Sequence, residues 1–169
     1  PSTDSINGPV TIIDDYAHHP VELIATLQAA RQSFPESRIF AIFQPHRFSR
    51  VRRLFDDFSR SFNMANTVLV PPIYPAGEQA LEGITNEALA GRIHHFGHRD
   101  VRALPSLEAC TQLLMTELKA NDVVITLGAG NVNEICTALT ELLEPAGRLA
   151  RAIRLFSEAH SSVLRGSTA

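Results

Sequence analysis

Five short runs of mostly apolar residues alternate along the chain with longer amphipathic stretches. The runs cover residues 10–13, 38–43, 67–70, 101–104 and 123–127. Their apolar side chains occupy successive positions, which is typical of strands that are buried on both faces. Such strands, separated by helices and joined by right-handed crossovers, form a parallel sheet between two helical layers. The sequence therefore predicts an α/β fold, a Rossmann-like doubly wound sheet that is mainly parallel.

Helical spacing predicts the segments between the strands. The first helix is expected to begin at Pro20 and to bury a stripe made of Val21, Ile24, Leu27 and Phe34. A single amphipathic helix follows the second strand, and its stripe comprises Leu54, Phe55, Phe58 and Phe62. Further helices are predicted over residues 86–95, 107–118 and 132–143, with Ser106 as one N-cap.

The last 26 residues differ from the rest. We divide the chain into a domain over residues 1–143 and a C-terminal helix, tail or linker over residues 144–169. Leu149, Ile153 and Phe156 have the spacing of one more surface helix. The segment is either a linker to a further fused domain or a longer tail.

The composition excludes several classes of protein. The 169 residues are 44% hydrophobic and 20% charged with a net charge of −3, which is typical of a globular protein and not of a disordered one. No apolar run approaches the length of a membrane span, and no strong basic field favours nucleic acid, so neither membrane nor nucleic acid is an expected partner. Cys110 and Cys136 fall in predicted helices, which indicates reduced thiols in a cytoplasmic protein.

Lys119 is the only lysine of the chain, and it lies in a polar connection outside any glycine-rich loop. The chain therefore carries no P-loop of its own, because that motif requires a lysine after its glycines. It also begins at Pro1 without methionine or a signal sequence, so we expect it to be a piece of something longer.

The unusual residues collect directly after strands. Four such segments follow strands one, two, three and five: residues 14–20 (DDYAHHP), 44–50 (QPHRFSR), 71–78 (PPIYPAGE) and 128–131 (GAGN). In a parallel sheet all four lie at the carboxyl edge, where open α/β folds bind ligands. This convergence of histidine, arginine, aspartate and tyrosine predicts a site there.

Each group has a specific chemical use. Arg47 and Arg50 at a loop-to-helix junction are typical of a carboxylate or phosphate site. Asp14 and Asp15 are either ribose-binding carboxylates or a solvated strand end with one helix cap. His18 near a helix N-terminus is expected to be neutral and able to accept a hydrogen bond from an amine. No ligand spacing indicates a metal site, and residues 128–131 lack the third glycine of a dinucleotide motif.

These four segments, in this order, resemble the C-terminal domain of the Mur ligases. The DYAHHP element is similar to one found across that family, whereas QPHRFSR and YPAGE resemble its L-alanine-adding branch. The resemblance covers roughly residues 10–143. It implies the third domain of a cytoplasmic ligase, inactive alone, that works with an N-terminal UDP-sugar domain and a central P-loop domain of the same chain.

The resemblance also implies a reaction and a set of roles. The full enzyme would use ATP and Mg²⁺, bound mainly by the central domain, to activate UDP-N-acetylmuramate as an acyl phosphate for attack by L-alanine in peptidoglycan synthesis. Arg47 and Arg50 would hold the alanine carboxylate beside Tyr16, His18 and His46, with His18 or His46 as the catalytic base. Asp14 and Asp15 would meet the ATP ribose or orient His18.

Three alternatives stay open on the sequence. A related ligase would recycle a peptide onto the same sugar in place of adding alanine. A stand-alone metal-dependent hydrolase would use the Asp14, Asp15, His18 and His46 side chains. A nucleotide-binding module without catalytic activity would use the same edge of the sheet.

Overall fold

The computed structural model describes residues 8–144 and the backbone of residues 150–155. The strands are β1 (Val10–Asp15), β2 (Ile39–Phe43), β3 (Thr67–Val70), β4 (Val101–Ala103), β5 (Val123–Leu127) and β6 (Ala150–Leu155). All pair in parallel, in the order β4-β3-β2-β5-β1-β6. This confirms the predicted α/β class and the predicted position of the first five strands.

The helices are α1 (Pro20–Ser33), α2 (Phe48–Arg53), α3 (Phe55–Ser59), α4 (Asn86–His95), α5 (Leu107–Glu117) and α6 (Glu134–Leu143). Their ends follow local chemistry. The Ser106 hydroxyl accepts a hydrogen bond from the backbone N–H of Ala109, which confirms that N-cap, and Thr85 caps α4 in the same way. No helix in the described part of the chain is both long and apolar enough to cross a membrane.

The order of the strands places the helices on two faces. The chain moves outward from β1 through β2 and β3 to β4, and α1, α3 and α4 pack on one face. It then returns to β5 and crosses to β6, and α5 and α6 pack on the other face. Residues along each strand alternate between these two cores: Ile39, Ala41 and Phe43 face the first, whereas Phe40 and Ile42 face the second.

Helix α1 buries only part of the predicted stripe: Leu27 is buried and Phe34 packs against the core as predicted. Leu23, Leu27 and Ala30 are buried, whereas Val21 and Ile24 are 69% and 39% exposed. Apolar residues occur on more than one side of this helix, so spacing alone did not identify the buried side. The buried side includes Thr26, whose hydroxyl donates a hydrogen bond to Asp15 at the end of β1.

The amphipathic helix predicted around residues 54–62 is also different. Leu54 leaves helical geometry and separates α2 from α3. Phe58 and Phe62 are still fully buried, and their rings lie 5.2 and 5.3 Å from that of Phe43. The apolar spacing thus reported burial correctly although the helix is interrupted.

The prediction of a helix from Leu149, Ile153 and Phe156 is wrong for residues 150–155, which the structure describes. Residues 150–155 form β6 and pair in parallel with the whole of β1. Without β6, β1 would be an edge strand with unpaired backbone groups although its side chains are buried on both faces. The remainder of the 144–169 segment after Glu144, including Leu149 and Phe156, lies outside the described residues.

Both cysteines lie in helices as predicted, Cys110 in α5 and Cys136 in α6, and no disulfide joins them. Burial raises the pKa of Cys110 to about 12, so its thiol keeps the proton at neutral pH. The Sγ atom of Cys136 lies 3.1 Å from the Thr126 hydroxyl on β5. Cys110 therefore serves the core as a small apolar side chain.

A matched pair of substitutions tests which side of α1 is buried. We expect Leu23→Ala to lower the free energy of unfolding by about 2–5 kcal/mol, because it removes a fully buried side chain. Val21→Ala should change it by less than about 0.5 kcal/mol, since that side chain is exposed. Urea unfolding of both variants measures the difference, and equal losses would contradict the described face.

Candidate functional site

The four loops singled out in the sequence are neighbours at one edge of the sheet. Strands β3, β2, β5 and β1 are adjacent and parallel, so their carboxyl ends point the same way. The loops that follow them therefore stand side by side in the same order. The predicted convergence of these loops at the carboxyl edge is confirmed.

The buried Gln44 side chain ties the loop after β2 to the loop after β5. Its Oε1 atom accepts hydrogen bonds from the backbone N–H groups of Asn131 and Val132, each 3.1 Å long. Its Nε2 atom donates to Oδ1 of Asn131 at 2.8 Å. Gln44 is only 4% exposed, so these bonds satisfy an amide that would otherwise be costly to bury.

Two glycines allow this close approach. A Cβ atom at Gly130 would lie 2.5 Å from Oε1 of Gln44 and 2.7 Å from Cγ of Tyr74. Gly128 has a φ of 152°, and a Cβ atom there would lie 2.9 Å from the Gln44 carbonyl oxygen. The glycines of the 128–131 segment thus serve loop packing, a role that the sequence left undefined.

The loop after β3 packs on the loop after β2 through His46 and Tyr74. The Tyr74 N–H donates to the carbonyl of Pro45, and the Arg47 N–H donates to the carbonyl of Tyr74, both at 2.8 Å. The two rings stack in parallel, with centroids 5.4 Å apart and an angle of 7°. Backbone pairing and stacking together fix the plane of the His46 ring.

The Arg50 side chain also contacts His46. Its Nη1 atom is 3.1 Å from Nδ1 of His46, one helical turn earlier in the sequence. Burial, and then the positive charges of Arg50 and Arg47, lower the pKa of His46, and Glu78 opposes this change. The lowered pKa favours the neutral form of the His46 ring.

His18 extends the group towards β1. Its ring lies 6.4 Å from that of His46 and makes an edge contact with Tyr16 at 5.3 Å. Its Nδ1 atom is 3.0 Å from the carbonyl oxygen of Tyr16. His19 turns away and accepts a hydrogen bond from the N–H of Val21 at the start of α1. Of the two adjacent histidines, only His18 joins the group.

Arg47 is exposed beside this group, and its backbone is strained. Its φ is 69°, in the left-handed region that residues other than glycine rarely occupy. Glu78 supports the same turn, because its carboxylate accepts hydrogen bonds from the backbone N–H and the hydroxyl of Ser49. These bonds lower the pKa of Glu78, so it is ionised near Arg47 and Arg50.

Asp14 and Asp15 do not form an acidic pair. Successive strand residues point to opposite faces, and the Asp14 carboxylate accepts a hydrogen bond from Thr126 on β5. Asp15 is buried and faces α1, where it accepts hydrogen bonds from the Ala17 N–H at 2.9 Å and the Thr26 hydroxyl at 2.8 Å. Asp15 thus fixes the beginning of the loop that carries Tyr16 and His18.

The described residues show no cluster of metal ligands at this edge. No group of three or more histidine, cysteine, aspartate or glutamate side chains among them is arranged to hold a metal. A groove of about 330 Å³ lies between α5 and α6, but none of the predicted site residues lines it.

Three contributing residues had no assigned role in the sequence analysis: Gln44, Tyr74 and Glu78. All three lie within the four segments that follow the strands. Nothing in the sequence indicated that Tyr74 stacks on His46 or that Gln44 bridges two loops, because both contacts join segments distant along the chain. The spacing of His46 and Arg50, four residues apart, was the one local signal.

Comparison with known proteins agrees with the geometry. The family model described as "Mur ligase, glutamate ligase domain" matches residues 3–130. The chain belongs to the Mur ligase family. The UDP-N-acetylmuramate–L-alanine ligase of Allorhizobium ampelinum is 48% identical over 142 residues, which cover 84% of this chain and 30% of that protein. The chain thus spans about a third of the length of this Mur ligase.

Solved Mur ligases share the fold. The UDP-N-acetylmuramate–alanine ligase of Thermotoga maritima superposes with a TM-score of 0.64 at 23% identity, covering 80% of this chain and 27% of that one. A murein peptide ligase from Psychrobacter arcticus gives 0.63 at 21% identity, covering 81% and 28%. At these identities the likeness shows the fold, which the alanine and peptide ligases have in common.

The tight packing around Gly130 can be tested by adding one methyl group. We expect Gly130→Ala to lower the free energy of unfolding by about 1–3 kcal/mol, because its Cβ would clash with Gln44 and the Tyr74 ring. Gly91→Ala in α4 is the matched control. No atom lies near its Cβ, so the helix should gain up to about 1 kcal/mol. Denaturant unfolding measures both, and a harmless Gly130→Ala would contradict the described contact.

Proposed function

We propose that this chain is the C-terminal domain of an ATP-dependent ligase that joins L-alanine to UDP-N-acetylmuramate in the cytoplasm. The observation that carries the proposal is the junction of Arg47, Arg50 and neutral His46 at the carboxyl edge of the sheet. Two guanidinium groups and a neutral imidazole suit an amino acid, which brings one carboxylate and one amine. The similarity to UDP-N-acetylmuramate–L-alanine ligases supports the choice of alanine and of the sugar.

The proposed role of the arginines is to bind the alanine carboxylate. Guanidinium groups bind carboxylates through paired, charge-assisted hydrogen bonds. A carboxylate anchored by Arg47 and Arg50 leaves the amine free to face the activated substrate, which lowers the entropic cost of the reaction. Tyr16, His18 and His46 would complete this pocket, with a histidine taking a proton from the amine.

The proposed reaction needs groups that other domains would supply. ATP and Mg²⁺ would convert the carboxylate of UDP-N-acetylmuramate to an acyl phosphate, which the amine then attacks. In this chain Asp15 is buried and hydrogen bonded within the fold, which favours the loop-orienting role that we considered for it. Asp14, less buried, is the better candidate for a ribose contact. The central and N-terminal domains would provide the phosphate and sugar sites.

Substitution of the arginines in the full-length protein tests this function. We expect Arg47→Ala and Arg50→Ala each to raise the KM for L-alanine roughly 10- to 100-fold, which corresponds to the loss of about 1.5–3 kcal/mol from hydrogen bonds to a charged group. The KM for ATP should change little. Arg53→Ala is the matched control, because Arg53 is an exposed residue near the end of α2.

Steady-state kinetics with each substrate varied in turn gives these constants. An unchanged KM for L-alanine in both arginine variants would contradict the carboxylate role. A panel that includes L-alanine and a tripeptide beginning with L-alanine separates the proposed ligase from a peptide-recycling one. Preference for the tripeptide would overturn the proposed substrate.

A further inference from the structure

The hydrogen bonds of His18 and His46 fix different protonated nitrogens in the two rings. Arginine only donates hydrogen bonds, so Nδ1 of His46, 3.1 Å from Arg50 Nη1, must be the unprotonated acceptor. The proton of neutral His46 is then on Nε2. A carbonyl oxygen only accepts, so Nδ1 of His18, 3.0 Å from the Tyr16 carbonyl, must carry the proton. The Nε2 atom of neutral His18 is then an unprotonated acceptor.

From this difference we infer that His18 is the proton acceptor of the site and that His46 is a hydrogen-bond donor that positions the carboxylate. The inference rests on the proposed function. The sequence left either histidine as the catalytic base, and the inference assigns that role to His18. While Arg50 occupies Nδ1, His46 has no second nitrogen free to take a proton. His18 presents a lone pair at Nε2, and its own Nδ1–H is anchored to backbone.

The geometry suits an α-amino acid. The centroids of the two rings are 6.4 Å apart, and the carboxylate and amine of such a molecule are separated by one carbon. The carboxylate would bind between the arginines and the Nε2–H of His46, the ring nitrogen that Arg50 leaves unoccupied. The amine would then lie towards Nε2 of His18.

The attacking nitrogen loses two protons in the proposed reaction. The ammonium group of L-alanine gives one proton to Nε2 of His18, and the resulting amine attacks the acyl carbon. The new C–N bond forms as the C–O bond to phosphate breaks, and phosphate leaves with that electron pair. The second proton of the attacking nitrogen goes to the departing phosphate, and His18 returns its proton to water.

Tautomers can be measured directly in this chain. Long-range ¹H–¹⁵N spectra of imidazoles, recorded on the 169-residue chain above the ordinary histidine pKa, identify which nitrogen carries the proton. The His18→Gln and His46→Gln spectra assign the two rings. We expect the proton on Nδ1 of His18 and on Nε2 of His46. The same tautomer in both rings, or the reverse assignment, would overturn the inference.

Kinetics of the full-length protein test the roles. Glutamine keeps an N–H donor but cannot take a proton, so His18→Gln should lower kcat roughly 100-fold or more and remove the acid limb of the kcat/KM pH profile. His46→Gln should keep that limb and raise mainly the KM for L-alanine. His19→Gln is the matched control for the loop, and its profile should be that of the wild type.

Charged and titratable groups lie around both rings. Tyr16 and His46 face His18, whereas Arg47, Arg50, Glu78 and His18 surround His46.

The kinetic outcome that overturns the inference is loss of the acid limb in His46→Gln but not in His18→Gln. If the wild type uses a tripeptide instead of alanine, the proposed substrate fails, but the same variants assayed with the tripeptide still decide the histidine roles.

Discussion

The arrangement of the site depends on one buried amide. Gln44 connects the end of β2 to the turn after β5, and its side chain satisfies two backbone N–H groups that would otherwise be unpaired. The same packing leaves no room for a side chain at Gly130, and it brings Tyr74 to that glycine. Tyr74 in turn holds the His46 ring, and His46 contacts Arg50. The candidate site thus depends on a contact within the loops that support it.

The twofold alternation of the strands determines how the acidic residues are used. Asp14 and Asp15 are consecutive on β1, so their carboxylates face different helical layers. Asp15 bonds to Thr26 on α1, and Asp14 bonds to Thr126 on β5. Two adjacent acids in a sequence suggest a shared ligand, but on a strand buried on both faces they serve two separate surfaces.

The sequence predicted the strands and the sheet better than the burial of individual helix residues. Continuous apolar runs identified the first five strands, and the Ser106 cap identified the start of α5, because both signals are local. Val21 and Ile24 of α1, predicted to be buried, are exposed, and β6 was predicted as a helix. Both outcomes depend on distant segments, because α1 packs on the core of the sheet and β6 pairs with β1.

In the candidate site, too, local motifs predicted the positions of residues but not their long-range contacts. Motifs placed His18, His46, Arg47 and Arg50 at one edge, since parallel strands bring their ends together. The protonated nitrogen of each histidine depends on one contact, to Arg50 or to a backbone carbonyl, and no composition or spacing reveals it. A structure of the full-length protein with L-alanine bound tests the proposed pocket. We expect the carboxylate on Arg47 and Arg50 and the amine facing Nε2 of His18. Alanine bound away from these residues, or with its amine on the arginine side, would contradict it.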